Sequence, residues 1–111
     1  MIKIAILFRR ASGLTHQQCV EHWLTVHGPL VRESDCGRRY VRRYVNAEIT
    51  CSLPPGAAEY DGIAEMWFDN REDFEAFFAD PEYAAVLGPD AACFADMPNL
   101  RIFATEETPV L

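Results

Sequence analysis

The residues best equipped for chemistry crowd into one short run, HWLTVHGPLVRE, residues 22–33. Its two histidines titrate near neutral pH and can therefore take up and return protons. The spacing predicts a helix that ends at His27, with Gly28 as the left-handed residue just past it and Pro29 unable to continue it. At a helix C-terminus the partial negative charge of the backbone favours imidazolium, which makes the neutral ring of His27 a better base. A plain capping role for His27 is the competing reading. His22 falls on the face that must pack on a sheet, as a core or pocket-wall histidine or as the acid partner of His27 in one cleft. Cys19 with His22 forms only a weak metal pair, and no metal is expected. His16, in the first helical turn, is expected to be solvated.

Two further groups sit on strands. In RRYVRRYVNAEI, period-two alternation puts Tyr40, Arg42, Tyr44, Asn46 and Glu48 on one face and Val41, Val45, Ala47 and Ile49 on the other. Arg42 and Tyr44 could steady a developing enolate or carboxylate, or they could line the space between two sheets of a dimer. Glu65 and Met66 are consecutive in a strand and must point to opposite faces, so only one can share a cleft with His27. A charged Glu65 needs a partner, for which Arg42 or Arg43 is the natural candidate. Salt bridge and catalytic carboxylate both remain open for it.

The elements that hold these groups follow from pattern. IKIAILFR (2–9) alternates as a strand with Ile2, Ile4, Ile6 and Phe8 on its strongly apolar face. Thr15 and Gln18 form a capping box that starts the first helix. A polar connection containing Cys36 and Gly37 leads to RRYVRRYVNAEI as the second strand, TCSLPPGAAEY as a loop and DGIAEMWF as the third strand. DNREDFEAFFADPEYAAVL is a helical stretch capped by Asp69 or Asn70 and interrupted by Pro81. ACFADMPN is irregular or a short helical turn, and LRIFATEE is the last strand. The acidic stretch after Asn70 reads as a solvated helix face. The order β-α-β-β-α-β predicts an α+β, ferredoxin-like antiparallel sheet with two helices on one face. Its uncovered face, carrying large side chains, predicts a homodimer whose sheets pack together.

Composition sets bounds on partners. The 111 residues suit one domain, and half of them are hydrophobic. A net charge of -7 argues against binding nucleic acid through its phosphates. The four cysteines contain no C-x-x-C pair and read as reduced thiols of a cytoplasmic protein. The apolar start is only strand-length, with its arginines after it, unlike a secretory signal, and no segment is long enough to cross a membrane.

Four stretches read together, LTHQQCVEHWLTVHGPL (14–30), RRYV (42–45), YDGIAEMWFDNREDFEAFF (60–78) and FATEETPVL (103–111), resemble the EthD family over nearly the whole chain. The resemblance implies a dimeric α+β barrel of ferredoxin-like fold. Characterised relatives include methylmuconolactone isomerases, and the wider superfamily holds polyketide cyclases, cofactor-free oxygenases and heme-degrading enzymes. Trp23 and His27 fall on the family's W-x-x-x-H-G-P motif, Tyr44 on the tyrosine of R-R-Y-V, and Glu65 on the acid of A-E-x-W-F. The chain departs from it at Cys19 and His22, where relatives carry an aromatic pair, and at Met66, where isomerase relatives can carry a cysteine.

The expectation is a cofactor-independent acid–base enzyme, an isomerase, cyclase or lyase, acting on a small hydrophobic carbonyl, lactone or polyketide-like compound. No phosphate loop, H-E-x-x-H, G-x-S-x-G or dinucleotide fingerprint is present. His27, Tyr44, Glu65 and His22 are the candidate catalytic residues, and Trp23, Tyr40, Arg42 and Met66 the candidate substrate contacts. The alternatives are a non-catalytic ligand-binding or accessory protein, and a heme-binding monooxygenase-like protein with His22 or His27 as axial ligand. How the loop 51–60 folds over the sheet is expected to shape the pocket.

Overall fold

Strand β1 (Ile2–Phe8) lies at the middle of a four-stranded sheet ordered β2-β3-β1-β4, with β2 at Val41–Glu48, β3 at Gly62–Phe68 and β4 at Arg101–Thr105. All three pairings are antiparallel. β1 and β2 flank β3, the split arrangement of a ferredoxin-like α+β fold. The computed structural model describes residues 1–54 and 60–111; part of the loop expected to shape the pocket, residues 55–59, lies outside them.

Alternation decides which strand residues enter the core. Ile4 and Phe8 of β1 and Ala64, Met66 and Phe68 of β3 are buried beneath the helices. Their neighbours Lys3 and Glu65 point to the open face and pair with each other at 2.7 Å. The partner of Glu65 is thus Lys3, across β1 from β3, and neither Arg42 nor Arg43. Lys3 also lies 3.6 Å from Glu107, which accepts a hydrogen bond from the Trp67 indole. Arg43 stacks over the Trp67 ring at 4.5 Å.

The first helical run is longer than its punctuation predicts. The capping box at Thr15 is present and opens α1 (His16–His22), but the helix does not end at His27. It widens into a π-helical turn over Trp23–His27 and continues as α2 (Gly28–Glu33). Gly28 is right-handed, with φ -55° and ψ -51°, and its N–H bonds the Trp23 carbonyl five residues back. An α-helical Pro29 would clash with the preceding turn and leave a carbonyl unbonded. The widened turn absorbs that conflict and lets the helix resume with proline in its first turn, where no N–H is required.

The device recurs in the second helical layer. Asn70 caps α4 (Arg71–Ala79), its side chain accepting from the Asp73 N–H, and Pro81 restarts the helix after Asp80. A second π-helical turn, Tyr83–Leu87, precedes α5 (Gly88–Phe94), and the Gly88 N–H bonds the Tyr83 carbonyl. Both turns share the pattern aromatic-x-x-x-x-Gly-Pro.

Residues 35–40, expected in part as a polar connection, form α3 (Asp35–Tyr40), capped by the Ser34 side chain bonding the Gly37 N–H. The second correction concerns β2. A bulge between Val41 and Arg43 inserts an extra residue against β3, so strict alternation fails there. Arg42 is the extra residue and bonds Asp69 at 3.0 Å, while Tyr44, opposite Met66, packs with the core.

Candidate functional site

The π-helical turn brings two histidines together. Five α-helical residues rotate by about 140° beyond a full turn, placing i and i+5 on different faces, whereas a π turn closes its hydrogen bond over that span. His22 and His27 accordingly meet the same carboxylate: Asp90 Oδ1 lies 3.0 Å from His22 Nε2, and Asp90 Oδ2 lies 2.9 Å from His27 Nδ1. Asp90 reaches them from the first turn of α5, directly after Gly88-Pro89. Phe94, one turn further along α5, packs its ring 5.5 Å from His22 and 5.0 Å from His27.

Sequence reasoning missed Asp90. Its signal was the G-P-D triplet, which repeats the Gly-Pro that follows His27 and places an acid in a helix's first turn.

His27 is much the more buried of the two histidines, its side chain 13% exposed against 31% for His22. Burial lowers the pKa of His27, and this outweighs the opposing hydrogen bond and charge of Asp90. The expectation of a raised, C-terminal histidine fails because the helix does not end there. For Asp90, burial acts to raise the pKa, but hydrogen bonds from His22 and His27 leave it lowered overall. At neutral pH the pair is a neutral imidazole and a carboxylate. A carboxylate only accepts, so His27 Nδ1 carries the proton and donates it to Asp90, leaving the lone pair on Nε2.

His27 lines an apolar cavity of about 60 Å³ between helices and sheet, together with Trp23, Tyr44, Met66, Phe94 and Leu100. Trp23 is fully buried and packs edge-on against Phe8, with ring centroids 4.6 Å apart. Asn46 Nδ2 donates to the Tyr44 hydroxyl at 3.1 Å. Burial raises the Tyr44 pKa against hydrogen bonds from Asn46 and Trp23, so the phenol stays protonated and keeps its own O–H to donate.

The remaining expected residues lie elsewhere. Glu65 is on the opposite face of the sheet from Met66 and does not share this cavity. His22 is not among the cavity's lining residues; it stacks on Phe94, which is. Tyr40 closes α3, with Arg39 5.9 Å over its ring. Arg42 lines a separate, adjoining cleft of about 520 Å³, which shares Val31 and Tyr44 with the cavity.

His16 is not simply solvated. Its Nδ1 lies 2.6 Å from the buried Asp61 and its Nε2 2.9 Å from Glu48, and these hydrogen bonds raise its pKa. The Cys19 thiol is buried, which pushes its pKa up to about 11, and it donates to the Phe94 carbonyl, while His22 bonds Asp90. Cys36, Asp80 and Glu82 come within 4.8 Å of one another. Glu82 there accepts the Cys36 N–H and Asp80 the Glu82 N–H, so both carboxylates serve as helix caps.

A family model described as the EthD domain matches residues 11–98. Among solved structures, the chain is similar to an EthD family protein of Bacillus halodurans C-125, with 25% identity, TM-score 0.76, and 97% of this chain and 99% of that one covered. It is also similar to a DABB family protein of ferredoxin-like fold from Mesorhizobium loti, at 10% identity and TM-score 0.72 with 97% of each chain covered. A dimeric ferredoxin-like protein from Thermobifida fusca matches at 20% identity and TM-score 0.64, over 94% of this chain and 88% of that one. No functionally curated protein matches the sequence.

Proposed function

Because this chain belongs to the EthD family, whose fold alone does not select a reaction, we propose from its site that it is a cofactor-independent acid–base enzyme. It acts on a small hydrophobic carbonyl or lactone compound, removing a proton from the carbon next to the carbonyl. The observation that carries this reading is the Asp90–His27 pair at the wall of an apolar cavity. Asp90 holds the ring so that Nε2 offers its lone pair, and stabilises the imidazolium once the proton is taken, as the buried aspartate does in hydrolase triads. The Tyr44 O–H, with Asn46 bonded behind it, donates to the oxygen where negative charge develops. Return of the proton from His27 to a different carbon completes an isomerisation; departure of a leaving group gives an elimination.

The volumes bear on the alternatives. A 60 Å³ cavity is far below the roughly 300–1,000 Å³ typical of small-molecule sites, which favours a small reacting group over a porphyrin beside His27. Space for a substrate's body comes from the adjoining cleft, with only the reacting end inside. A dimer is part of the proposal: the open sheet face presents Phe103, half exposed, beside the Lys3, Glu65 and Trp67 cluster.

The test is hydrogen–deuterium exchange next to the carbonyl, followed by NMR in deuterated water over a panel of lactones and aryl ketones. The expected result is exchange catalysed by the parent protein and slowed on the order of a hundredfold or more in His27→Ala. Undiminished exchange in that variant refutes the mechanism.

A further inference from the structure

The cleft next to the cavity is chemically unlike the rest of the surface. Arg32, Arg38 and Arg42 line it, from α2, α3 and β2, and none of its lining residues among those described is a carboxylate. These are three of the ten Lys and Arg residues of a chain whose net charge is -7. Their acidic neighbours do not cancel them. Arg32 and Arg38 share one carboxylate, Glu33, and Arg42 takes Asp69. Arg43 contributes to the cleft wall, but its guanidinium rests on the Trp67 ring at the open face of the sheet. Each guanidinium has five N–H donors in a planar fork, and these contacts occupy only a minority of them.

The β2 bulge gives this arrangement its shape. It takes Arg42 out of the alternation that would group it with Tyr44 and turns it toward Asp69 at the edge of the sheet; re-aiming a side chain is what a bulge does. At the inner end, Tyr44 and Asn46 belong to the cleft wall, and Tyr44 also lines the His27 cavity. Asn46 Oδ1 is buried there without a hydrogen-bond partner among the described residues. A buried polar atom left unpaired is costly, so the inner end offers a polar contact to an incoming group. The gradient runs from guanidinium at the mouth through amide and phenol to an apolar chamber.

We propose that this cleft binds the carboxylate of an apolar organic acid whose other end enters the His27 cavity. The inference rests on the acid–base reading for what happens at that far end, but not for binding. Guanidinium matches carboxylate as a two-pronged donor, and a volume of about 520 Å³ accommodates a body of one or two rings. The exposed arginines make the attraction sensitive to salt, whereas the apolar contribution is not.

Calorimetric titration with 1-naphthoate and with its uncharged counterpart 1-naphthamide tests this. The parent protein is expected to prefer the acid on the order of tenfold, the worth of one charge-assisted hydrogen bond. Arg38→Gln combined with Arg42→Gln should abolish that preference, while Arg71→Gln combined with Arg101→Gln, an equal change in net charge outside the cleft, should retain it. No measurable binding of 1-naphthoate, equal affinity for the amide, or a preference that survives in the Arg38/Arg42 variant overturns the proposal. Inorganic phosphate binding as tightly as 1-naphthoate overturns the assignment to organic acids. Titration of His27→Ala separates the two ideas: a preserved acid preference supports the cleft even where exchange chemistry is missing.

Discussion

His27 Nδ1 lies 2.9 Å from Asp90 Oδ2, joining two residues 63 positions apart in sequence and fixing which ring nitrogen of His27 is free. The same carboxylate holds His22 by its other oxygen. One aspartate thus ties the first helical layer to the second at the wall of the cavity.

The first prediction concerns that pair. Asp90 raises the pKa of His27 against the larger effect of burial. Asp90→Asn removes the charge, so the His27 pKa should fall below its already lowered value in the parent protein. NMR titration of the imidazole resonances reads this; an unchanged or higher value contradicts the assigned contact.

Stability should respond to pH in opposite senses at two histidines. His16 has a raised pKa in the folded state, so its contribution is complete below the unfolded value of about 6.5 and is lost as pH rises through the folded pKa. His27 has a lowered one, so its contribution is present above about 6.5 and is lost as pH falls through the folded pKa. His16→Gln should therefore lower Tm more at pH 5.5 than at pH 9. Thermal melts of parent and variant across that range check the sign.

Gly62 tests the packing beneath the site. A Cβ there would come within 2.6 Å of the Trp23 ring and 2.8 Å of Phe8. Trp23 is buried, packs edge-on against Phe8 and lines the cavity. Gly62→Ala should cost about 1–3 kcal/mol in chemical denaturation, whereas Ala64→Gly on the same strand removes atoms and forces no such displacement.

Association should run through the open sheet face. Sedimentation equilibrium is expected to give twice the chain mass of 12.6 kDa. Phe103→Asp, which puts a charge on the exposed apolar part of that face, should shift the mass toward the monomer; a variant that stays fully dimeric points to a different surface.

Much of the fold was legible because its signals are local. Period-two alternation grouped Ile4 with Phe8 on the apolar face of β1 and set Glu65 and Met66 on opposite faces of β3, and the Thr15 capping box and a cap at Asp69 or Asn70 were read from a few adjacent residues. The element order gave the ferredoxin-like sheet. His27, Tyr44, Trp23 and Met66 were named from the sequence and line one cavity.

What the tertiary structure alone decided depends on contacts that a linear pattern does not encode. Gly28-Pro29 is written as a helix stop, but a π-helical turn costs less than abandoning the packing of α2 and carries the helix on to Glu33. That extra residue per turn, invisible to a 3.6-residue period, aligns His22 with His27. The β2 bulge likewise separated Arg42 from Tyr44 by one residue of register that only the pairing with β3 reveals. Asp90, distant in sequence and marked only by its Gly-Pro-Asp triplet, becomes part of the site because α5 packs against α1 and the turn that follows it. The sequence by itself determined the strands, the caps and the residue types available for chemistry; the docking of the two helical layers determined which of them meet.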